Sequence, residues 1–391
     1  MDVLHDRCAG LDIHKKTVVA CIRIVGPGGE VTRQVRTFAT MTADLLELAD
    51  WLAASGVVHL AMESTGVYWK PIWHLLEGRF EMMLVNAGHI KQVPGRKTDV
   101  KDAEWIAQLL QHGLLSPSFV PPPPVRELRD LTRQRAQLVA DRSGVANRVQ
   151  KVLEAANIKL GSVASDVLGV SGRAMIQGLI AGESDPARLA EEARGSLRKK
   201  VIPLRRALEG RVTEHHRFQL RLLMDQLGQL EGLIGRLDAR IVEVMEATPS
   251  EDRPSPFREA ADRLATIPGI AARSAEVIVA EIGPDMSKFA TAGHLASWAG
   301  LCPGNDQSAG KRRSGRTTKG SRWLRMMLVQ SAWAASHTKE TILAATYRKA
   351  VKRLGKKKAL VALGHKILVV IYKLLKEKTT YQERWTAPKA A

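Results

Sequence analysis

GRKTDVKDAEWIAQLL, residues 95–110, carries two carboxylates three residues apart, Asp99 and Asp102, where a helical pattern begins. Trp105, Ile106, Leu109 and Leu110 continue that pattern at three- and four-residue spacing, so both acids should leave one face of a single helix. Two acids on one face repel each other unless a cation or a proton intervenes. Mg²⁺ is held through one or two protein carboxylates while substrate phosphate completes its shell, so this spacing suits a divalent-metal site. The ordinary alternative is a first helical turn whose acids favour the macrodipole. Arg96, Lys97 and Lys101 surround the pair and favour the metal reading, because a site where a polyanion meets a metal needs both signs of charge.

The segments before this helix alternate in type. CAGLDIHKKTVVACIRIV (8–25) reads as two β-rich runs, GPGG turns the chain, and EVTRQVRTFAT (30–40) reads as a third, giving a three-stranded meander. Asp12 falls within the first run, where an acid is unfavourable at a buried sheet centre unless a charge sits opposite; a strand-end Asp capping a turn is the alternative. His14, Lys15 and Lys16 follow it, placed either to contact phosphate or to form a solvated face. MTADLLELADWLAAS (41–55) predicts an amphipathic helix, and VVHLAMES (57–64) an apolar strand ending near Glu63, a usual position for chemistry in α/β sheets. A short helix over 69–77 and a strand over MMLVNA (82–87) follow.

With 391 residues and 45% hydrophobic content the chain can bury the cores of two or three domains. Its 59 Lys and Arg against 40 Asp and Glu give a net charge of +19, which points to nucleic acid or an anionic membrane surface. No apolar run reaches the ~18 residues of a membrane span and MDVLHDR lacks signal-peptide features, so a cytoplasmic protein with a nucleic-acid partner and no membrane is expected. Cys8, Cys21 and Cys302 are widely spaced and suggest neither a disulfide framework nor a zinc site.

Proline and charge divide the chain at PPPP (121–124) and SEDRPSP (250–256), giving expected domains over 1–120, 121–249 and 250–391. In the middle domain Leu128, Leu131, Leu138, Val145, Val149 and Val152 form one coiled-coil seam, with Arg135 and Arg142 in two of its positions. A second runs through Leu220, Leu223, Leu227, Leu230, Ile234, Leu237, Ile241 and Val244, a rod of roughly 37 Å. The arms pair within the chain or with a second subunit; heptads do not choose. Short helical patterns broken by Gly and Pro occupy 156–203.

LATIPGIAARSAEVIVAEIG (264–283) reads as helix, tight turn, helix. It resembles the helix-hairpin-helix module, in which N–H groups near Pro268 and Gly269 hold a DNA phosphate, with a plain αα-hairpin as the alternative. From Lys311 to Arg325 seven of fifteen residues are basic and none is acidic, among them Lys311, Arg312, Arg313, Arg316, Lys319 and Arg322. Charges so dense need a counter-anion, and a phosphodiester backbone supplies one. Ser308 lies between an apolar helix-like segment and this basic loop, where neighbouring cations could present its hydroxyl to a phosphate, with an ordinary serine in a polar loop as the alternative.

The acid-bearing order of strands and helices is similar to the ribonuclease-H-like (RuvC-like) nuclease fold. GLDIHKK, MESTGVYW, GRKTDVKDAEWIAQLL, IPGI, WAGLCP and SAGKRRSGRTTKGSRWLR together resemble the DEDD-type transposases of bacterial insertion sequences, the one-ten type, viewed as bridge-RNA-guided serine recombinases. The resemblance implies an α/β RuvC-like domain, coiled-coil helices and an all-α C-terminal transposase domain. It implies that Asp12, Glu63, Asp99 and Asp102 bind Mg²⁺ (or Mn²⁺), and that a C-terminal serine attacks DNA, giving a protein–DNA ester that is rejoined elsewhere without ATP. Ser308 matches that serine best. Where the family often shows Glu-Ser-Gly, this chain has Gln307-Ser308-Ala309, which leaves Ser314 as the alternative. A site shared between protomers, assembly as a dimer or tetramer on donor and target DNA, and a structured bridge RNA are further implications. Two other functions stay open: a junction resolvase whose acids activate water, and a non-catalytic architectural DNA binder using the basic helix KKKALVALGHKILVVIYKLLK (356–376).

Overall fold

The computed structural model describes residues 2–64, 66–86, 102–247, 255–302, 306–308, 311–314, 317 and 320–383. The chain divides into two compact units, Met1–Val120 and Pro121–Ala391.

The first unit is built on a five-stranded sheet in the order β3-β2-β1-β4-β5. Strands β1 (Arg7–Ile13), β2 (Thr17–Val25) and β3 (Val31–Ala39) run antiparallel in sequence, as the turn-separated β-rich runs predict. β4 (His59–Glu63) then pairs parallel to β1, and β5 (Glu81–Val85) parallel to β4. A parallel pair needs a crossover, and helices α1 (Thr42–Ala54) and α2 (Trp69–Leu76) supply the two required. The last strand sits one to two residues earlier than the sequence suggests.

β1 is covered on both faces, and alternation along it sorts the side chains. Ala9, Leu11 and Ile13 join Leu60 and Met62 in packing against Leu45, Leu48 and Leu52 of α1. Cys8 and Ala61 face the other way, onto Ile106, Leu109 and Leu110 of α3 (Asp102–Gln111). Fully burying each such Leu or Ile is worth roughly 1.5–3 kcal/mol, so the apolar runs of β1 and β4 fix their central place.

The second unit, mostly helical, begins with α4 (Pro123–Ala155), started by the proline run, and returns along α8 (Glu214–Glu246). Arg135 pairs with Asp238, Arg142 with Glu231, and Arg148 with Gln226, so numbers rise along one helix as they fall along the other: the pair is antiparallel. The two arginines in seam positions are thereby accounted for, each bonded to a carboxylate across the seam. Leu128, Val145 and Val149 are buried, whereas Leu131, Leu138, Leu230, Ile234 and Leu237 are half-buried. Between the long helices lie α5 (Val170–Ala181), α6 (Pro186–Glu191) and α7 (Val201–Leu208), closed over Leu204, Leu208, Leu220 and Leu227.

Five further helices follow: α9 (Pro256–Ala265), α10 (Ala272–Ile282), α11 (Ala292–Trp298), α12 (Arg322–His337) and α13 (Ile342–Glu377), the last interrupted at Gly355. A two-stranded hairpin, β6 (Asp306–Ser308) and β7 (Lys311–Ser314), precedes α12. No described helix is long and apolar enough to cross a membrane.

Candidate active site

Two neighbourhoods hold the chemistry-bearing residues, one in each unit. In the first, β1 and β4 run side by side in the register Leu11↔Met62. Asp12 and Glu63 are each the next residue along, so the two acids stand at the same carboxyl-end level of adjacent parallel strands, with backbones roughly 4.8 Å apart. They belong to the face on which Cys8 and Ala61 meet α3, and α3 begins with Asp102.

α3 lies against the strand because of one glycine. A Cβ on Gly10 would fall 2.5 Å from the carbonyl oxygen of Ala103 and 2.4 Å from the amide nitrogen of Ala107, both backbone atoms of α3. Ala103 and Ala107 are fully buried, so three small residues let the helix rest on β1 just before Asp12. Asp12 keeps 18% of its side-chain surface exposed, and His14 Nε2 stands 3.1 Å from its Oδ2. Asp102 is exposed and has no ion-pair partner among the described residues, while Glu104 beside it is engaged by Arg33 at 3.2 Å. Burial pushes the Cys8 thiol up to about 12 and the Cys21 thiol up to about 11, which makes both inert spacers between sheet and helix.

Asp99, Lys97 and Lys101 lie outside the described residues. Among the described residues no three His, Cys, Asp or Glu side chains are grouped closely enough to hold a metal ion. The four residues expected from the sequence as ligands are all carboxylates, the hard oxygen chemistry that Mg²⁺ and Mn²⁺ take.

The second neighbourhood is the stretch from Trp298 to Arg325. The sequence reads it as a basic loop; it contains a β-hairpin, with Ser308 paired to Lys311, Gln307 to Arg312 and Asp306 to Ser314. Ser308 therefore occupies the turn end of the hairpin and Ser314 the opposite end. Arg316 and Lys319 lie outside the described residues. Arg322 is exposed at the start of α12, its guanidinium 4.4 Å from the Trp323 ring centroid.

The feet of this segment are fixed side by side. A Cβ on Gly320 would come within 2.4–2.5 Å of the backbone of Ala299 and Gly300, so the outgoing and returning chains touch there. Arg325 Nη2 donates to the Gly300 carbonyl at 2.6 Å. Ser321 caps α12 by accepting from the Leu324 amide, and its hydroxyl donates to Glu281 Oε2 at 2.8 Å. Glu281, fully buried, also receives Arg133 through Nε at 2.7 Å and Nη2 at 2.8 Å. Burial draws the Arg129 guanidinium down to about 10 while nearby Glu281 opposes the shift, so Arg129 stays charged at neutral pH and bonds the Glu281 carbonyl. Sequence reading missed this node. Its visible signal was a pair of acids, Glu276 and Glu281, in the apolar run AEVIVAEIG, which a packed helix tolerates only with charged partners.

The PGI turn has a local explanation. Gly269 adopts φ +88°, and a Cβ there would lie 2.5 Å from backbone atoms of Ser331 and Ala335 in α12. Packing against α12 accounts for that glycine; Pro268 beside it is half-exposed.

Comparison with known proteins gives concordant results at both ends. Residues 9–158 match a transposase family of the DEDD, IS110 type, and residues 261–348 match the "Transposase IS116/IS110/IS902 family". The pilin gene-inverting protein of Moraxella bovis is 24% identical over 393 aligned residues, covering 96% of this chain and 97% of its own. An uncharacterized 44.8 kDa protein of insertion element IS116 from Streptomyces clavuligerus is 27% identical, over 77% of this chain and 79% of its own. An uncharacterized 43.6 kDa protein of insertion element IS110 from Streptomyces coelicolor is 32% identical over 39% of this chain and 35% of its own.

Proposed function

Because the chain belongs to the IS116/IS110/IS902 family of transposases and is thereby a DNA-recombining enzyme, we propose that it cuts and rejoins the DNA of an insertion sequence through a serine–DNA ester. The observation that carries the reading is the placement of Asp12 and Glu63 at one level of two adjacent parallel strands, on the face where α3 opens with Asp102. The sheet order β3-β2-β1-β4-β5 supports a ribonuclease-H-like reading of that domain. The antiparallel α4–α8 pair supports the coiled-coil reading.

In this proposal Asp12, Glu63, Asp99 and Asp102 hold Mg²⁺ or Mn²⁺. When bound, such an ion makes a coordinated hydroxyl more acidic and offsets phosphate charge. Ser308 supplies the hydroxyl. Its Oγ bonds to phosphorus as the bond from phosphorus to a deoxyribose oxygen breaks; the serine proton leaves to solvent, and the released sugar oxygen takes one up. The ester keeps a phosphodiester's bonding, so a hydroxyl from another DNA end reverses the step and joins new partners without ATP. Lys311, Arg312, Arg313, Arg316, Lys319 and Arg322, with Lys97 and Lys101, offer charge to the backbone, and the turn at Pro268 and Gly269 is the weaker contact.

The Moraxella relative is named for inverting a pilin gene, which is strand exchange without net loss of DNA, and supports the same outcome here. Recognition through a structured bridge RNA and assembly as a dimer or tetramer on DNA complete the proposal. The test is adduct trapping: protein, Mg²⁺ and a supercoiled plasmid carrying the element's ends are quenched in detergent and assayed for DNA-linked protein. An adduct lost in Ser308→Ala supports the reading. An adduct that survives there and vanishes in Ser314→Ala moves the nucleophile, and cleavage with no adduct from the parent protein overturns the serine chemistry in favour of hydrolysis.

A further inference from the structure

From Thr341 to Lys376 the chain contains no Asp or Glu, and seven cations crowd into Arg348–Lys358: Arg348, Lys349, Lys352, Arg353, Lys356, Lys357 and Lys358. All seven are exposed, and none has a hydrogen-bond or ion-pair partner among the described residues. The family match ends at residue 348, so it does not account for this cluster.

The backbone concentrates the charge. α13 breaks at Gly355, which adopts φ +73° and ψ 164°, a conformation an L side chain rarely takes. Lys366 Nζ donates to Thr346 Oγ1 at 2.9 Å. A straight helix would hold those two residues about 30 Å apart along its axis. The two segments therefore fold back on each other, and residues 348–358 form the tip of a helical hairpin. Behind it Leu363, Ile367, Leu368 and Ile371 are buried, so the tip stands on a packed base. Seven like charges at one tip repel, and the arrangement is favourable when a polyanion covers it.

We propose that this tip is a DNA-binding surface of its own, which takes the phosphate backbone of duplex DNA without reading sequence. No aromatic residue lies within 348–358 on which an unpaired base could stack, which disfavours a single-stranded or looped partner. DNA is the substrate of the family. The proposal rests on that family assignment and not on the serine chemistry, so its test needs no cleavage.

The full-length protein is titrated onto a fluorescent 40-bp duplex of arbitrary sequence at a series of salt concentrations. The comparison is a variant carrying Lys352→Gln, Arg353→Gln, Lys356→Gln and Lys357→Gln, with its melting temperature measured alongside. Loss of four phosphate contacts should flatten the slope of log K against log salt by about 3 to 4, at about 0.9 per contact, and equally on unrelated sequences. A variant exchanging Lys for Arg and Arg for Lys at the same four positions should restore the parent slope. An unchanged slope in the neutral variant overturns the proposal. So does a loss confined to an RNA hairpin of matched length, which would make the tip an RNA surface.

Discussion

Arg133 and Glu281 form a two-pronged ion pair, Nε and Nη2 donating at 2.7 and 2.8 Å to the two oxygens of a carboxylate that is fully buried. The pair joins α4 to α10, and through Ser321 to the helix that follows the serine hairpin. Removing the arginine leaves a buried carboxylate with only the Ser321 hydroxyl and the more distant Arg129 at 3.8 Å among the described residues. Arg133→Ala should cost about 3 kcal/mol or more, read as a lowered denaturation midpoint, while Arg133→Lys, which keeps one prong, should lose less.

Gly10 is a steric requirement of the first neighbourhood. Even a methyl group there meets the α3 backbone at 2.4–2.5 Å, so Gly10→Ala must lift the helix that begins with Asp102. A cost of about 1–3 kcal/mol is expected, with faster amide exchange in β1 and α3 than elsewhere.

Replacing Asp12 by Asn or Glu63 by Gln should leave duplex binding intact and lower strand cleavage in Mg²⁺ by about a hundredfold or more. That is the rate equivalent of several kcal/mol of charge stabilisation withdrawn. Equal cleavage by either variant and the parent would remove the carboxylates from the mechanism.

Asp238 links the long helices to α10. The hydrogen bond from Arg135 holds its carboxyl below the ordinary carboxylate range, and Arg273 adds to the effect. A depressed folded-state pKa gives stability that is fully present above the unfolded value of about 3.9 and lost as pH falls through the lower folded value. Thermal melts from pH 6 down to 3 should show the parent protein losing stability more steeply below about pH 4 than Asp238→Asn does.

The three cysteines should separate by reactivity. Cys8 and Cys21 are buried with thiols raised to about 12 and about 11, whereas Cys302 is half-exposed. A maleimide at pH 7 should label Cys302 alone in the native protein and all three in denaturant, as counted by mass spectrometry.

Legibility in the sequence followed the range of the forces involved. Strand and helix types in the first unit were readable because apolar periodicity reports which face is covered, whereas the covering of β1 on its second face by α3 emerged only from the packing. The antiparallel pairing of the long helices was half readable. The seam was visible, but the partners of Arg135 and Arg142 lie about a hundred residues on in Asp238 and Glu231. Nothing local announced that Glu281 would be neutralised by Arg133, or that Gly10 and Gly320 mark close backbone approaches, since each is a contact between distant segments. The hairpin at Ser308 was hidden by composition: seven cations in fifteen residues read as loop, and strand pairing there is a tertiary outcome.

Ser308 and Ser314 stand at opposite ends of a ladder only three residue pairs long. Ser308 sits at the turn end, and Ser314 stands six residues before Gly320, whose backbone packs against Ala299 and Gly300. The two serines would therefore offer their hydroxyls to DNA at different ends of one short hairpin, so the cut sites mapped to the nucleotide should shift if the nucleophile changes from one to the other.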